Sequence, residues 1–332
     1  MLVLGVETSC DDTAAAVLLD GRTILSNVVS SQDQIHGPYG GVVPELASRQ
    51  HVKNILPIVD GALDKAKVSL QDLDGIAVTR GPGLVGSLLV GLSLVKGMAF
   101  RWGKPFVGVN HLEAHLLAIQ LEHEVPFPYI ALLASGGHTL LYGVKAVGNY
   151  VHLGGTRDDA AGEAFDKVAK MLSLGYPGGR VIDNLAKTGD RMAVRFPRAR
   201  LKKGSFDFSF SGIKTSVWQY LKSTGEEAWK GHLADIAASF QEAVVDMLVH
   251  PTIRAAHAHG ISFIVLSGGV AANTRLREKM KKEAAANGLE VYSPAPKFCT
   301  DNGAMIALTG YHWLKLGRCD DFRLNAVADL TL

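Results

Sequence analysis

The chain is 332 residues long, close to twice a typical domain, so two domains are expected. Apolar residues make up 47% and charged residues 20%, which fills a core and excludes a disordered or fibrous chain. A net charge of +2 announces no global affinity for nucleic acid, although it leaves room for a local basic patch.

In chain order, the amino end has no basic n-region or cleavage site, so no signal peptide is expected. Leu2-Val-Leu-Gly-Val-Glu7 and Ala14-Ala-Ala-Val-Leu-Leu19 are apolar runs around the polar turn Thr8-Ser-Cys-Asp-Asp-Thr13, which predicts a β-hairpin. Asp11 and Asp12 in that turn suit either turn formation or contact with a phosphate or metal. Gly75-Ile-Ala-Val-Thr-Arg-Gly-Pro-Gly83 predicts a buried strand and a Gly turn leading into an apolar helix. The uncharged, largely apolar window 81–95 is 15 residues long, too short and Gly-rich to cross a membrane, and no membrane association is expected. His111-Leu-Glu-Ala-His115 then places two imidazoles at i and i+4, on one helical face, where both reach one metal ion. Glu113 points away from that face, and the zinc-protease pattern of His-Glu-x-x-His is absent.

The hairpin pattern returns at Tyr129-Ile-Ala-Leu-Leu133, Ala134-Ser-Gly-Gly-His-Thr139 and Leu140-Leu-Tyr-Gly-Val144. The run from Thr156 to Asp166 has Thr/Asp cap chemistry and acids in a helix's opening turn. Gly175-Tyr-Pro-Gly-Gly179 reads as a tight turn against a flat ligand. Arg191, Arg195, Arg198, Arg200, Lys202 and Lys203 form a basic run without periodicity, either a solvated loop or a phosphate-backbone contact. The strand, Gly turn and helix pattern also returns, from Ile261 through Ser267-Gly-Gly269 to Asn273 and onward. Cys299-Thr-Asp301-Asn-Gly303 is a polar turn offering a carboxylate, which the sequence alone does not bring to His111. Cys10, Cys299 and Cys319 are odd in number and scattered, so a reduced cytosolic protein without disulfides is expected.

Two unlike elements repeating in the same order predict a duplicated α/β unit. Gly turns before helices offer N–H groups to an anion, and three stand out: 79–86, 135–138 and 267–273. None has a Walker or Rossmann pattern, and each alone has a structural explanation. The mirrored Ser-Gly-Gly turns favour a phosphate or nucleotide ligand.

Together these segments resemble the tRNA threonylcarbamoyladenosine transferase family of the bacterial TsaD type. The resemblance is carried by Gly5-Val-Glu-Thr-Ser-Cys-Asp-Asp-Thr13, Gly41-Val-Val-Pro-Glu-Leu-Ala-Ser-Arg49, Gly81-Pro-Gly-Leu-Val-Gly-Ser87 and the run from His111 to His115. It continues through 135–139, 154–167, Phe206-Asp-Phe-Ser-Phe-Ser-Gly212, 267–273 and 298–305, nearly the whole chain. Arg180 stands where the family often has proline. The resemblance implies a duplicated actin-like, heat-shock-ATPase-like fold, with lobes 1–127 plus 303–332 and 128–302 around a ligand cleft. It implies transfer of a threonylcarbamoyl group from threonylcarbamoyl-AMP to the N6 amine of the adenosine beside the anticodon, in tRNAs reading codons that begin with A. His111, His115 and Asp301 fall on the ligands of a divalent metal, Fe(2+) or Zn(2+), and Asp11 is a further catalytic candidate. Ala134, Ser135, Gly136, Gly137, His138, Asp166, Gly179, Asp183 and Asn273 fall on the adenylate contacts. The implied partners are tRNA, a TsaB-type paralogue and a TsaE-type ATPase, in the cytoplasm. A kinase or ATPase of this fold would need no histidine pair, and a tRNA-binding scaffold would need no intact metal triad.

Overall fold

The computed structural model describes every residue except Arg200 and Lys203. The chain divides into two compact units, Met1–Glu124 with Thr300–Leu332, and Val125–Cys299. The first contains β1 (Leu2–Glu7), β2 (Asp12–Leu19), β3 (Thr23–Ser31), α1 (Asp33–His36), α2 (Pro44–Ala66), β4 (Gly75–Gly81), α3 (Val85–Trp102), β5 (Phe106–Asn110) and α4 (His111–Leu117). The second begins with β6 (Tyr129–Ala134), β7 (Thr139–Ala146) and β8 (Asn149–Gly155), then α5 (Ala161–Met171), α6 (Gly178–Ala186), α7 (Ser211–Thr224), α8 (Glu226–Lys230) and α9 (Leu233–Ala258). It ends with β9 (Phe263–Ser267), α10 (Thr274–Ala286), β10 (Glu290–Tyr292) and α11 (Pro296–Cys299), after which α12 (Gly303–Lys315) belongs to the first unit.

The sheet orders are β3-β2-β1-β4-β5 and β10-β9-β6-β7-β8. In each unit an antiparallel meander is extended by two parallel strands: β1 pairs antiparallel with β2 and parallel with β4, as β6 does with β7 and β9. Read from the outer meander strand, the two orders are the same. The expected duplication is present in the topology. Both central strands are continuous apolar runs buried on both faces, as strands covered by helices must be. Leu4, Val6, Ile55, Val78 and Leu92 anchor one core; Ile130, Phe165, Ile182, Phe240 and Leu266 anchor the other.

Two close approaches explain particular glycines. A Cβ on Gly5 would lie 2.3 Å from Ala307 N, so glycine lets α12 sit directly on β1. Gly268 has φ +84°, and a Cβ there would lie 2.4 Å from Ala134 O. That glycine serves both the turn after β9 and its contact with β6.

Two expectations change. The chain crosses between units after Glu124 and Cys299, where the sequence reading set 127 and 302, so Asp301 belongs to the same unit as the histidines. The cap expected near Thr156 is displaced, since α5 starts at Ala161 and its first N–H donates to Thr139 Oγ1 at 2.8 Å. Asp158 and Asp159 instead tie down the following segments, as described below. α3 is long and apolar enough to cross a membrane by length and composition, but Leu92, Val95 and Ala99 on it pack into the core of the first unit.

Candidate functional site

Two capped helix starts build the first cluster. Asn110 ends β5 and caps α4, its Oδ1 accepting from Leu112 N at 2.9 Å and Glu113 N at 3.3 Å. His111 is therefore the first helical residue, and His115 stands one turn on. Asn302 caps α12 by accepting from Met305 N at 3.0 Å, which sets Asp301 immediately before the cap. His115 Nε2 lies 3.0 Å and His111 Nε2 3.6 Å from one oxygen, Asp301 Oδ1. One ligand atom from each residue lies within 4.8 Å of the others. The histidines are buried, and Asp301 keeps 21% of its side chain exposed. Glu113 turns away, accepting from Trp313 Nε1 at 3.1 Å.

Glu7 was not among the expected site residues. It is fully buried at the end of β1, accepts from Ser9 N and from Thr79 Oγ1 at 2.9 Å, and faces His111 Nδ1 at 2.9 Å. A carboxylate closing an otherwise apolar, fully buried strand was the signal that could have found it.

The cluster is anionic. Burial alone would depress His111, but Asp301 and Glu7 outweigh it and raise its pKa to about 9. Burial, then Asp301 and Asp11, pushes Asp12 up to about 8, and burial with Asp301 also raises Asp11. Burial first, then Asp11 and Asp301, pushes the Cys10 thiol up, which argues against a nucleophile there. Two imidazole nitrogens, one carboxylate and excess negative charge in a low-dielectric wall fit a divalent cation. His115 Nδ1 has no partner among the described residues, so Asp301 alone orients that ring by hydrogen bonding.

The second cluster lies in the other unit. Ser135 closes its own turn, its N–H donating to His138 O at 2.8 Å and its Oγ accepting from His138 N at 3.1 Å. Gly136 and Gly137 are exposed with open space where a Cβ would stand. Gly179 faces open space too, whereas Gly178 packs against Phe165 and Asp166. The neighbouring carboxylates also hold the scaffold. Asp166 Oδ1 accepts from Gly178 N at 2.8 Å, and Asp183 accepts from Thr274 Oγ1 at 2.8 Å and Thr274 N at 3.2 Å. Asn273 caps α10 through Leu276 N and donates to Gln241 Oε1 at 2.7 Å, with one side-chain N–H uncommitted among the described residues. Beside Thr274 opens a cavity of about 310 Å³, lined by Lys187, Arg191, Gln241 and Arg275 among others. A larger cavity of about 540 Å³, lined by Arg198, Met247 and Arg254 among others, includes none of the expected adenylate residues.

One Gly turn is filled by the protein itself. Gly83 N donates to Ala328 O at 3.0 Å and Leu84 N to Ser9 O at 2.8 Å, so the 79–86 turn has spent these donors on packing.

Residues 23–308 match the family model for TsaD, tRNA N6-adenosine threonylcarbamoyltransferase. The chain belongs to the TsaD family. It is 55% identical over 326 residues to the tRNA N6-adenosine threonylcarbamoyltransferase of Syntrophotalea carbinolica, covering 98% of this chain and 95% of that one. It is 56% identical to that of Geobacter sulfurreducens, over 98% and 96% of the two chains. For Clostridioides difficile the identity is 51%, over 100% and 98%. Two solved structures share the fold at low identity. Full-length HypF matches with a TM-score of 0.62 at 14% identity, over 95% of this chain and 55% of that one. Component A of the (R)-2-hydroxyglutaryl-CoA dehydratase of Acidaminococcus fermentans matches at 0.56 and 17%, over 96% and 100%. The architecture is the duplicated actin-like one.

Among the TsaD-like segments, 206–212 is a clamp. Asp158 accepts from Phe210 N at 2.7 Å and from the Ser209 and Ser211 hydroxyls. Asp159 holds Lys167 and Lys214, and Asp207 holds Arg157. The basic run is partly committed. Arg198 pairs with Asp246 at 2.8 Å and donates to Phe196 O, which removes it from the residues free to meet a phosphate. Arg200 and Lys203 lie outside the described residues.

Proposed function

We propose that this chain transfers a threonylcarbamoyl group from threonylcarbamoyl-AMP to the N6 amine of the adenosine beside the tRNA anticodon, in tRNAs reading codons that begin with A. The observation that carries the reading is the convergence of His111 and His115 Nε2 on Asp301 Oδ1 in a chain of the TsaD family.

His111, His115 and Asp301 would hold one divalent ion, Fe(2+) first and Zn(2+) second. Three protein ligands are the number of a working site, since closed structural sites have four. When bound, such an ion supplies Lewis-acid polarisation and an anchor for the donor. Asp11, whose carboxyl burial pushes above the ordinary range, is the further catalytic candidate of the reading.

The exposed turn Ala134-Ser-Gly-Gly-His138 would take the adenylate phosphate on its N–H groups, with Gly179 admitting close approach. Asp166, Asp183 and Asn273 hold the surrounding helices in register and keep acceptor or donor capacity for the nucleoside. In the reaction a new N–C bond forms at the carbamoyl carbon, the C–O bond to phosphate breaks, AMP leaves with the electron pair, and the amine releases one proton to the departing phosphate or to water. A mixed anhydride is already activated, so positioning and electrostatics suffice without a covalent intermediate. The reading places the chain in the cytoplasm with a TsaB-type paralogue and a TsaE-type ATPase.

The test is transfer of label from threonylcarbamoyl-AMP to tRNA, partners supplied. Labelled N6-modified adenosine is expected at the position beside the anticodon; ATP hydrolysis without transfer would overturn the reading in favour of an ATPase.

A further inference from the structure

We propose that Glu7 is the positioning residue of the His111–His115–Asp301 centre: its carboxylate accepts the hydrogen bond from His111 Nδ1–H, keeps that hydrogen on Nδ1 and so presents the Nε2 lone pair to the metal. The inference rests on the metal reading above and concerns a residue that lies outside the three ligands.

The hydrogen bonds carry it. Glu7 is fully buried, and its carboxylate is surrounded by donors: Ser9 N on Oε1, Thr79 Oγ1 on Oε2 at 2.9 Å, and His111 Nδ1 on the same Oε2 at 2.9 Å. Nδ1 also lies 3.2 Å from Ser9 Oγ, but a hydroxyl can donate or accept whereas a carboxylate held by two other donors only accepts, so the shorter contact to Glu7 puts the ring hydrogen on Nδ1. In the neutral ring, the form that binds a metal, Nε2 then carries the lone pair, and it is the nitrogen that faces Asp301 Oδ1. The carboxylate–histidine–metal relay is a general way to fix a ligand's tautomer and raise its basicity.

Position strengthens the case. Glu7 ends β1, the central strand of its sheet, and Thr79 lies on the adjacent parallel strand β4. The acceptor is therefore mounted on the most constrained part of the unit, while His111 rides on a seven-residue helix. His115 contrasts with it, since its Nδ1 has no partner among the described residues. One ligand ring is held from behind and the other is not.

The test uses the full chain and zinc as the probe, titrated against a chromophoric chelator. Glu7→Gln keeps the shape but removes the charge and allows an amide N–H to face Nδ1. It should bind zinc 10- to 100-fold more weakly, with the same change absent in a His111→Ala background. Its thermal midpoint should stay within a few degrees, a separation that a merely structural role would not produce. Wild-type affinity in a folded Glu7→Gln would overturn the proposal, as would an equal loss in the His111→Ala background. Should that variant fail to fold, ¹⁵N shifts of His111 in the zinc-loaded wild type decide: protonated Nδ1 with metal on Nε2 supports the role, and the reverse tautomer overturns it. A wild type with no measurable zinc affinity would overturn the metal reading itself, a distinct result from an unaffected variant.

Discussion

At the scale of single residues, the metal reading turns on what holds the three ligands in place. The histidines are fixed by a capped helix and Asp301 by the cap that follows it, so removing one ligand should empty the site without unfolding the unit. His115→Ala is expected to lose bound metal and more than about a hundredfold in transfer, since even indirect partners of such sites are worth 10- to 100-fold. Its thermal midpoint should fall by only a few degrees; metal analysis and calorimetry on the same sample check both. The two histidines were legible because i and i+4 spacing is a local property of a helix. From the residues alone Asp301 was legible only as a spare carboxylate, and it took the family resemblance to make it a ligand, because its approach to His111 depends on α12 docking against β1 across some three hundred residues of chain. Glu7 was hidden for a different reason. Its motif could be matched, but only the packing of Thr79, Ser9 and His111 around it gives it a task.

At the scale of elements, caps and ion ladders join the helices to the clusters. Asn110→Ala removes the acceptor of two N–H groups and should cost about 1 kcal/mol in urea unfolding. It should also weaken zinc binding, because the frayed turn is the one that carries His111. Between α9 and α10, Glu242 meets Arg275 at 2.6 Å and Lys279 at 2.6 Å, and Lys279 also holds Asp246. Burial would raise Glu242, but the two cations outweigh it and bring its pKa from 4.5 to about 2. A folded-state pKa below the unfolded one stabilises the fold above pH 4.5, and that contribution is lost as pH falls toward 2. Glu242→Gln should therefore be less stable than wild type by about 2–3 kcal/mol at neutral pH. The gap should close as the denaturation series moves from pH 5 toward pH 2; a pH-independent gap would contradict the ladder. The two hairpins, strands β4 and β9, the Gly turns and helices α3, α4 and α10 were readable from period and punctuation. The start of α5 was not, because Thr139 on a neighbouring strand supplies the acceptor that a local Thr or Asp was expected to provide.

At the scale of the whole molecule, repetition was the most informative signal. Two hairpins and two strand–turn–helix runs recurring in order corresponded to two sheets of the same strand order. What repetition could not show is how far the copies diverge. The β1–β2 hairpin turn is packed against the turn after β4, Ser9 O accepting from Leu84 N, while its counterpart 135–138 leaves open space at Gly136 and Gly137 and so has room for an anion. Gly137→Val should fold normally, having open space for its side chain, yet weaken AMP binding more than tenfold, about 1.4 kcal/mol by calorimetry. Unchanged affinity would move the adenylate elsewhere. The central claim is a metal-dependent acyl transfer, and single-turnover transfer from saturating threonylcarbamoyl-AMP to tRNA tests it most directly. Chelated protein should lose transfer and regain it with Fe(2+) or Zn(2+), while His115→Ala should regain none; full transfer by metal-free protein would contradict the account.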